Sequence, residues 1–292
     1  MAALPLKIAQ IENSQIQFDD VTPLLELLHL PENENKKICF LSIIGSSQNG
    51  KTFTLNHLQR YLEWTKMGKP AELDWMEMNE IGSFADSKTV GIDVLLRLFP
   101  NAKDEEFLVL LADTQGLVVN ENQDNVCIVV LTALLSSVMI FNQKFPIRCD
   151  DLRTFSELGD FVANHLAPYQ FESLEKLIFL LRDCYFTNDR NGFSIGSEYL
   201  ANLREGNQQP QVAEIWELLE DSFNTIEAFC LPHRPENSEE NVDELKEKFN
   251  QELRSFVEQT IENLEPKRFD GNAMSCDEFA TLIEDLIPLF QY

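Results

Sequence analysis

The chain has 292 residues, enough for one large α/β domain or two small ones. Hydrophobic residues make up 44% and charged residues 25%, ordinary for a globular protein, but 49 acidic against 23 basic side chains leave a formal net charge of −26. Such acidity excludes nucleic acid and anionic lipid as partners held by bulk electrostatics, because both require Lys and Arg to neutralise phosphate. A nucleotide is not excluded, since its phosphates are met locally by backbone N–H groups, a lysine and a metal ion.

In chain order, Thr22-Pro23 reads as an N-cap with proline in the first turn, starting a short helix through Leu30. The run Ile38 to Ile44 has the β-branched and aromatic content of a buried strand. After a glycine-rich stretch, Phe53, Leu55, Leu58 and Leu62 recur at helical spacing. Residues 65 to 90 form a polar connection too long for ordinary packing, and so a candidate functional segment. Ile92 to Phe99 and Phe107 to Ala112 read as neighbouring strands, with a helix and a strand over roughly 124 to 142 and an amphipathic helix from Asp151 to Leu166. Lys176 to Leu181 is a buried strand ending at Arg182-Asp183. Helices near 195–205 and 211–223, the strand Ile226 to Leu231, a helix ending near Leu264 and a last helix over 277 to 290 complete the chain. This alternation predicts an α/β fold, a mostly parallel sheet with helices on both faces, forming one domain over residues 1–292.

The turn between the first buried strand and its helix reads Gly45-Ser46-Ser47-Gln48-Asn49-Gly50-Lys51-Thr52, a complete G-x-x-x-x-G-K-[ST] phosphate-binding loop followed by Phe53. Gly45 and Gly50 let the backbone wrap phosphate, Lys51 can reach the β- and γ-phosphates, and the Thr52 hydroxyl can ligate Mg²⁺. About sixty residues on, the apolar strand Phe107 to Ala112 ends in Asp113-Thr114-Gln115-Gly116. An acid at a buried strand tip is where these folds hold Mg²⁺, and the Gly116 N–H can bind the γ-phosphate. Thr89, before Gly91-Ile92, can complete the Mg²⁺ shell and couple loop order to the γ-phosphate.

Six scattered cysteines without a C-x-x-C pair argue against a zinc site or a disulfide framework and for a reducing, cytoplasmic setting. The four histidines show no ligand spacing, and His233, in a Leu-Pro-His segment, reads as a turn residue. The amino terminus lacks a signal-peptide pattern, and Ala2 excludes myristoylation. The longest uncharged apolar run, Val126 to Phe141, falls short of the ~20 residues that span a bilayer. No direct insertion into a membrane is expected.

Three segments carry a family resemblance: Leu111 to Gly116 (Leu-Ala-Asp-Thr-Gln-Gly), Ile178 to Cys184 (Ile-Phe-Leu-Leu-Arg-Asp-Cys) and Phe229 to His233 (Phe-Cys-Leu-Pro-His). They resemble the atlastin and guanylate-binding-protein family of dynamin-like GTPases, and the atlastin GTPase domain in particular. The likeness runs to Asn272–Phe279. In that family an Arg-Asp pair replaces the usual N-K-x-D guanine motif. The resemblance therefore implies that Asp183 accepts from guanine N1–H and N2–H, with Arg182 flanking the base. Adenine offers no donors there, so such a carboxylate discriminates.

Two departures stand out. The family places an arginine finger inside the phosphate loop, where this chain has Gln48, and no arginine lies between Tyr61 and Val90 to replace it. A finger arginine is worth ~10³ to 10⁵ in rate. The chain also stops where the GTPase domain is expected to end, without the helical middle domain, membrane hairpin or amphipathic tail that membrane fusion needs, so fusion is not inherited from the resemblance. The leading expectation is a GTP- and GDP-binding protein that hydrolyses GTP slowly with Mg²⁺ and dimerises with nucleotide, with Lys51, Thr89 and Gln48 at the reacting phosphate. The alternative is a catalytically silent GTP-binding module that forms mixed dimers with related GTPases. An ATP-dependent enzyme is disfavoured by Arg182-Asp183.

Overall fold

The structure is a computed structural model. It describes residues 5–12, 15–46, 49–78, 91–101, 104, 106–117, 124–148, 152, 155, 174–184, 192–205, 210–235 and 241–290. A nine-stranded sheet forms its centre, in the order β2-β1-β4-β6-β3-β7-β8-β9 with β5 pairing β6. The strands are β1 (Pro5–Glu12), β2 (Gln15–Phe18), β3 (Lys37–Ser46), β4 (Ile92–Leu95), β5 (Phe99–Pro100), β6 (Phe107–Leu117), β7 (Val138–Lys144), β8 (Leu174–Cys184) and β9 (Phe223–Pro232). From β6 through β3, β7 and β8 to β9 every pairing is parallel. On the other side β4 is antiparallel to β6, β1 to β4 and β2 to β1.

Helices α1 (Thr22–Leu28), α2 (Lys51–Lys66), α3 (Asp124–Leu135), α4 (Gly192–Glu205), α5 (Pro210–Ser222), α6 (Val242–Glu262) and α7 (Cys276–Leu286) cover both faces. The alternation of β3 explains the division. Cys39, Leu41 and Ile43 point to one face, where Leu55, Leu58 and Leu62 of α2 and Leu253, Phe256 and Val257 of α6 pack on them. Ile38, Phe40 and Ile44 point to the other, against α1, α3, α4, α5 and α7. A parallel strand buried on both faces reads as a near-continuous apolar run, which residues 38 to 44 show with one polar residue, Ser42, whose hydroxyl is hydrogen bonded to the Ser136 hydroxyl.

The expected α/β architecture holds, with local differences. Helix α1 ends at Leu28, and Thr22 lies inside it with Val21 as the N-cap; the Thr22 N–H is taken instead by the Asp20 carboxylate at 3.0 Å. The hairpin β1–β2 has no counterpart in the sequence reading. The 92–99 strand is split into β4 and β5, both antiparallel to β6. Strand β6 does not stop at Ala112 but runs to Leu117, because β3 continues beside it to Ser46 and β4 pairs its other edge as far as Thr114. Strand β8 likewise carries Arg182-Asp183 within it and ends at Cys184. The last helix closes at Leu286 and passes into a 3₁₀ turn over Ile287–Phe290. The expected helix 151–166 lies outside the described residues, apart from Leu152 and Phe155, both helical and buried. Among the described residues no helix is long and apolar enough to cross a membrane.

At the amino-terminal ends of the parallel strands one buried ion pair ties the last third of the chain to the sheet. Lys267 is 1% exposed; its Nζ donates to Glu175 at 2.6 Å and to the Ser136 carbonyl at 3.0 Å. Glu175 also accepts the Arg268 N–H at 2.9 Å. Burial lowers the Lys267 pKa, opposed by the Glu175 charge. Removing one partner leaves the other's charge buried and uncompensated. Lys267→Ala is therefore expected to cost about 3 kcal/mol in urea unfolding, more than Glu175 and Lys267 replaced together by apolar residues of similar volume.

Candidate functional site

The carboxyl ends of β3, β6, β7 and β8 converge on one edge of the sheet, the position at which open α/β sheets bind ligands. The first of these ends carries the phosphate-loop motif. Gly45 has φ +144°, and a Cβ there would lie 2.0 Å from the Asn142 carbonyl oxygen on β7, so only glycine fits. Gly50 sits at φ +76° as the N-cap of α2, and a Cβ on it would come 3.2 Å from Arg182 Nη1. Asn49 is fixed by a hydrogen bond that the Asn142 Nδ2 donates to its carbonyl at 2.8 Å. Ser47 and Gln48 lie outside the described residues.

Lys51, 8% exposed, donates from Nζ to the carbonyls of Gly45 at 3.1 Å and Ser46 at 3.2 Å. Its ammonium thus lies over the start of the loop. Burial lowers its pKa and the nearby Asp113 charge opposes that shift, so an anion brought close would hold the lysine charged. Thr52 donates from Oγ1 to Asp113 Oδ2 at 2.8 Å. Asp113 is fully buried at the end of the apolar part of β6, opposite Ile43 in register, and Thr114 beside it donates to the Ile43 carbonyl at 2.8 Å. The backbone of Gly116 pairs with Gly45, which brings the D-x-x-G segment alongside the phosphate loop. Lys51, Thr52 and Asp113 are thus brought together as expected. Thr89 lies outside the described residues.

Arg182 and Asp183 take opposite directions at the end of β8. Arg182 packs inward behind the loop, its Nη1 donating to Thr54 Oγ1 at 3.3 Å and its guanidinium 5.9 Å from the Phe53 ring centroid. Burial lowers its pKa, Asp183 raises it and the nearby Arg234 lowers it. Asp183 adopts φ +60°, an unusual backbone for a non-glycine residue, and its carboxylate is partly open. His233 Nδ1 lies 3.1 Å from Asp183 Oδ1, and Lys144 Nζ lies 3.7 Å from Oδ2. A carboxylate only accepts, so this imidazole carries its proton on Nδ1. His233 is accordingly more than a turn residue. Arg234 follows it and stands 5.0 Å from the Phe53 centroid, so two guanidiniums flank the ring of the residue after Thr52.

Sequence reasoning missed Asn142, Lys144 and Arg234, and gave His233 no role. The available signal was positional: Asn142 and Lys144 close the strand beside the phosphate-loop strand, and His233 and Arg234 follow the strand next to Arg182-Asp183.

Chemically, the edge offers a glycine-permitted backbone loop at a helix N-terminus, one buried lysine, a hydroxyl–carboxylate pair of hard oxygen donors, and a separate carboxylate on the far side of Arg182. That set suits a phosphorylated ligand with a magnesium-type cation and a hydrogen-bond-donating head group. Comparison with known proteins identifies the family. A family model described as guanylate-binding protein, N-terminal domain, matches residues 16–273. Atlastin-1 of Pongo abelii is 25% identical over 317 residues, covering 98% of this chain and 54% of that protein. Atlastin of Drosophila melanogaster is 26% identical over 292 residues, covering 92% and 52%, and Atlastin-3 of Mus musculus 24% over 314 residues, covering 98% and 57%. The chain thus spans about half the length of the curated relatives it matches. With the family model covering most of its residues, the chain belongs to the atlastin and guanylate-binding-protein family of GTPases.

Proposed function

We propose that this chain acts as a single GTPase domain that binds GTP and GDP and hydrolyses GTP to GDP and phosphate. The observation that carries the reading is the 2.8 Å bond from the Thr52 hydroxyl to the buried Asp113 carboxylate, beside Lys51 at the mouth of the phosphate loop. In this reading the loop N–H groups and Lys51 hold the β- and γ-phosphates. Thr52 and Asp113, with Thr89, would hold Mg²⁺, which supplies charge neutralisation at the β- and γ-oxygens when bound. Asp183 accepts the guanine donors and His233 and Lys144 orient its carboxylate. Arg182, packed on Gly50 and Phe53, ties the base side to the phosphate side. A cytoplasmic setting suits the free, buried Cys39, Cys184, Cys230 and Cys276.

The rate is a separate matter. Phosphoryl transfer depends on positioned positive charge, and Gln48 supplies none where related enzymes carry arginine. Slow turnover follows from that departure; nucleotide-dependent dimerisation is proposed from the family resemblance alone. The same residue favours the second reading, a silent GTP-binding module in mixed dimers with related GTPases. Turnover measured on the purified protein separates the two.

Binding measured by titration calorimetry with Mg²⁺ should favour GTP and GDP over ATP. Asp183→Ala should weaken guanine binding by ~2 kcal/mol, since the base loses a charged acceptor. Equal affinity for ATP and GTP in the unmodified protein would sink the base assignment.

Lys51→Ala should abolish nucleotide binding and turnover. Gln48→Arg should raise turnover at least roughly tenfold at saturating GTP, increasingly with protein concentration, because a finger that works only in a dimer needs the dimer. Rapid turnover by the unmodified protein, unchanged in Gln48→Arg, would mean that another residue supplies the charge.

A further inference from the structure

Helix α7 and the short hairpin before it enclose a groove of about 420 Å³. The hairpin pairs β10 (Arg268–Phe269) with β11 (Asn272–Ala273) around Asp270-Gly271. Both turn residues have positive φ, +48° and +72°, the backbone of a tight two-residue hairpin. Asn272 Nδ2 donates to the Asp270 carbonyl and Arg268 Nη1 to the Gly271 carbonyl, each at 3.1 Å. Beyond the turn the chain is pinned to the sheet. The Met274 N–H donates to the Lys267 carbonyl at 2.7 Å, and the Ile38 N–H to the Met274 carbonyl at 3.2 Å. On the other wall a capping box between Ser275 and Glu278 starts α7. A groove built on fixed backbone needs little ordering to receive a ligand.

Its floor and rim differ in chemistry. Glu278, Leu282 and Asp285 recur at helical spacing and share one face of α7. Leu282 and Met274 form an apolar floor, and Phe269 adds a ring that is 39% exposed. Around them stand Asp270, Asp277, Glu278 and Asp285, and no lysine or arginine lines the groove. Asp277 is held by His29 at 2.8 Å and Glu278 by the cap. Asp270 and Asp285 are exposed and form no ion pair among the described residues. The net charge of −26 does not by itself produce such a rim, because two larger clefts carry both signs. One sets Lys176 and Arg268 beside Glu175 and Glu227, the other Arg60 and Arg254 beside Asp74 and Glu77.

We propose that this groove docks a basic segment of a partner protein, with one large apolar side chain against Phe269, Met274 and Leu282 and flanking lysines or arginines facing Asp270 and Asp285. A buried anchor supplies affinity, and the opposed charges supply orientation and choice of partner. A second copy of this chain is disfavoured, because it would bring another net charge of −26 against an acidic rim. The groove lies at the edge of the sheet opposite the phosphate loop. Lys37, at the start of β3, donates to the Ala273 carbonyl at 2.9 Å, and ten residues of strand, roughly 30 Å, separate that point from Ser46 in the loop. A partner seated there leaves the phosphate-loop edge uncovered, so the docking does not rest on the guanine reading above.

The test titrates the isotope-labelled full chain with a synthetic amphipathic peptide of lysine and leucine and maps the amide shifts by NMR. Two control peptides replace either every leucine by serine or every lysine by glutamate. The expected shifts centre on Phe269, Asn272, Leu282 and Asp285. Phe269→Ala should weaken binding at least about fivefold, as loss of a contact to a buried anchor does. Asp270→Asn combined with Asp285→Asn should weaken it by about as much at low salt, and by less as salt is added. These side chains are exposed, so urea unfolding of the variants should match that of the unmodified chain. Shifts spread over the whole surface, or equal binding of the lysine–serine peptide, would mean attraction to bulk charge alone and overturn the proposal. Equal binding of the glutamate–leucine peptide, or unchanged affinity in Phe269→Ala, would overturn it as well. Dimerisation of the nucleotide-free chain that is lost in Phe269→Ala would assign the groove to a second copy instead.

Discussion

The parallel pairing of β3 with β6 on one side and β7 on the other is the constraint from which the site follows. In that register Ile43 faces Asp113, and Gly45 faces both Gly116 and Asn142. Three chain segments far apart in sequence thereby end at one level, with a loop, a carboxylate and an amide at their tips. The approach is so close at Gly45 that a Cβ would lie 2.0 Å from the Asn142 carbonyl oxygen. Asn142 then reaches across to the Asn49 carbonyl, so the same residue bounds the loop at its beginning and near its end. A one-residue slip of β7 would remove both contacts and turn its apolar side chains to the wrong face.

Charge is distributed against the average of the chain. A net charge of −26 would repel a polyanionic ligand at long range, yet the site edge collects Lys51, Lys144, Arg182 and Arg234. Three of these are restrained by short-range contacts: Lys51 by loop carbonyls, Lys144 by Asp183, and Arg182 by Thr54 and the Phe53 ring. Burial works against the charged form of Lys51 and of Arg182. Under the proposed function, a phosphate at the loop would relieve that cost by giving the lysine an anionic partner in place of two neutral carbonyls. Local preorganisation, rather than the overall field, governs such a site.

Much of this was legible in the sequence because the site sits on strand tips and the strands are buried. A mostly apolar run, interrupted only by Ser42 in β3, marks β3, β6 and β8, and the residues that end each run, Gly45, Asp113 and Arg182-Asp183, lie at one edge of the sheet. What escaped was set by pairing rather than by local pattern. The split of residues 92–100 into β4 and β5, and the extension of β6 to Leu117, depend on which strand lies alongside. The roles of Asn142 and His233 depend on their neighbours across the sheet, Asn49 and Asp183, which are 93 and 50 residues away. Neither an asparagine after a strand nor a histidine after a proline announces such a partner.

The two halves of the site are mechanically one. Arg182 lies against Gly50 and Thr54 of the phosphate loop and its helix, while the next residue, Asp183, turns to the outer side at φ +60°. Because a peptide bond is rigid, a displacement of the Asp183 backbone must pass to Arg182 or be absorbed in the bulge before Cys184. Phe53 closes the circuit, since the residue after Thr52 bears both Arg182 and Arg234 on its ring, and Arg234 is bonded in chain to His233, the partner of Asp183. If, as proposed, phosphate occupied the loop and a head group the Asp183 edge, both would bear on the same arginine. A ligand that spans both positions restrains it from two sides, whereas either fragment alone leaves the other side free to move. Under the proposed reading, specificity for a head group and affinity for phosphates would be properties of one packed unit rather than of two independent subsites.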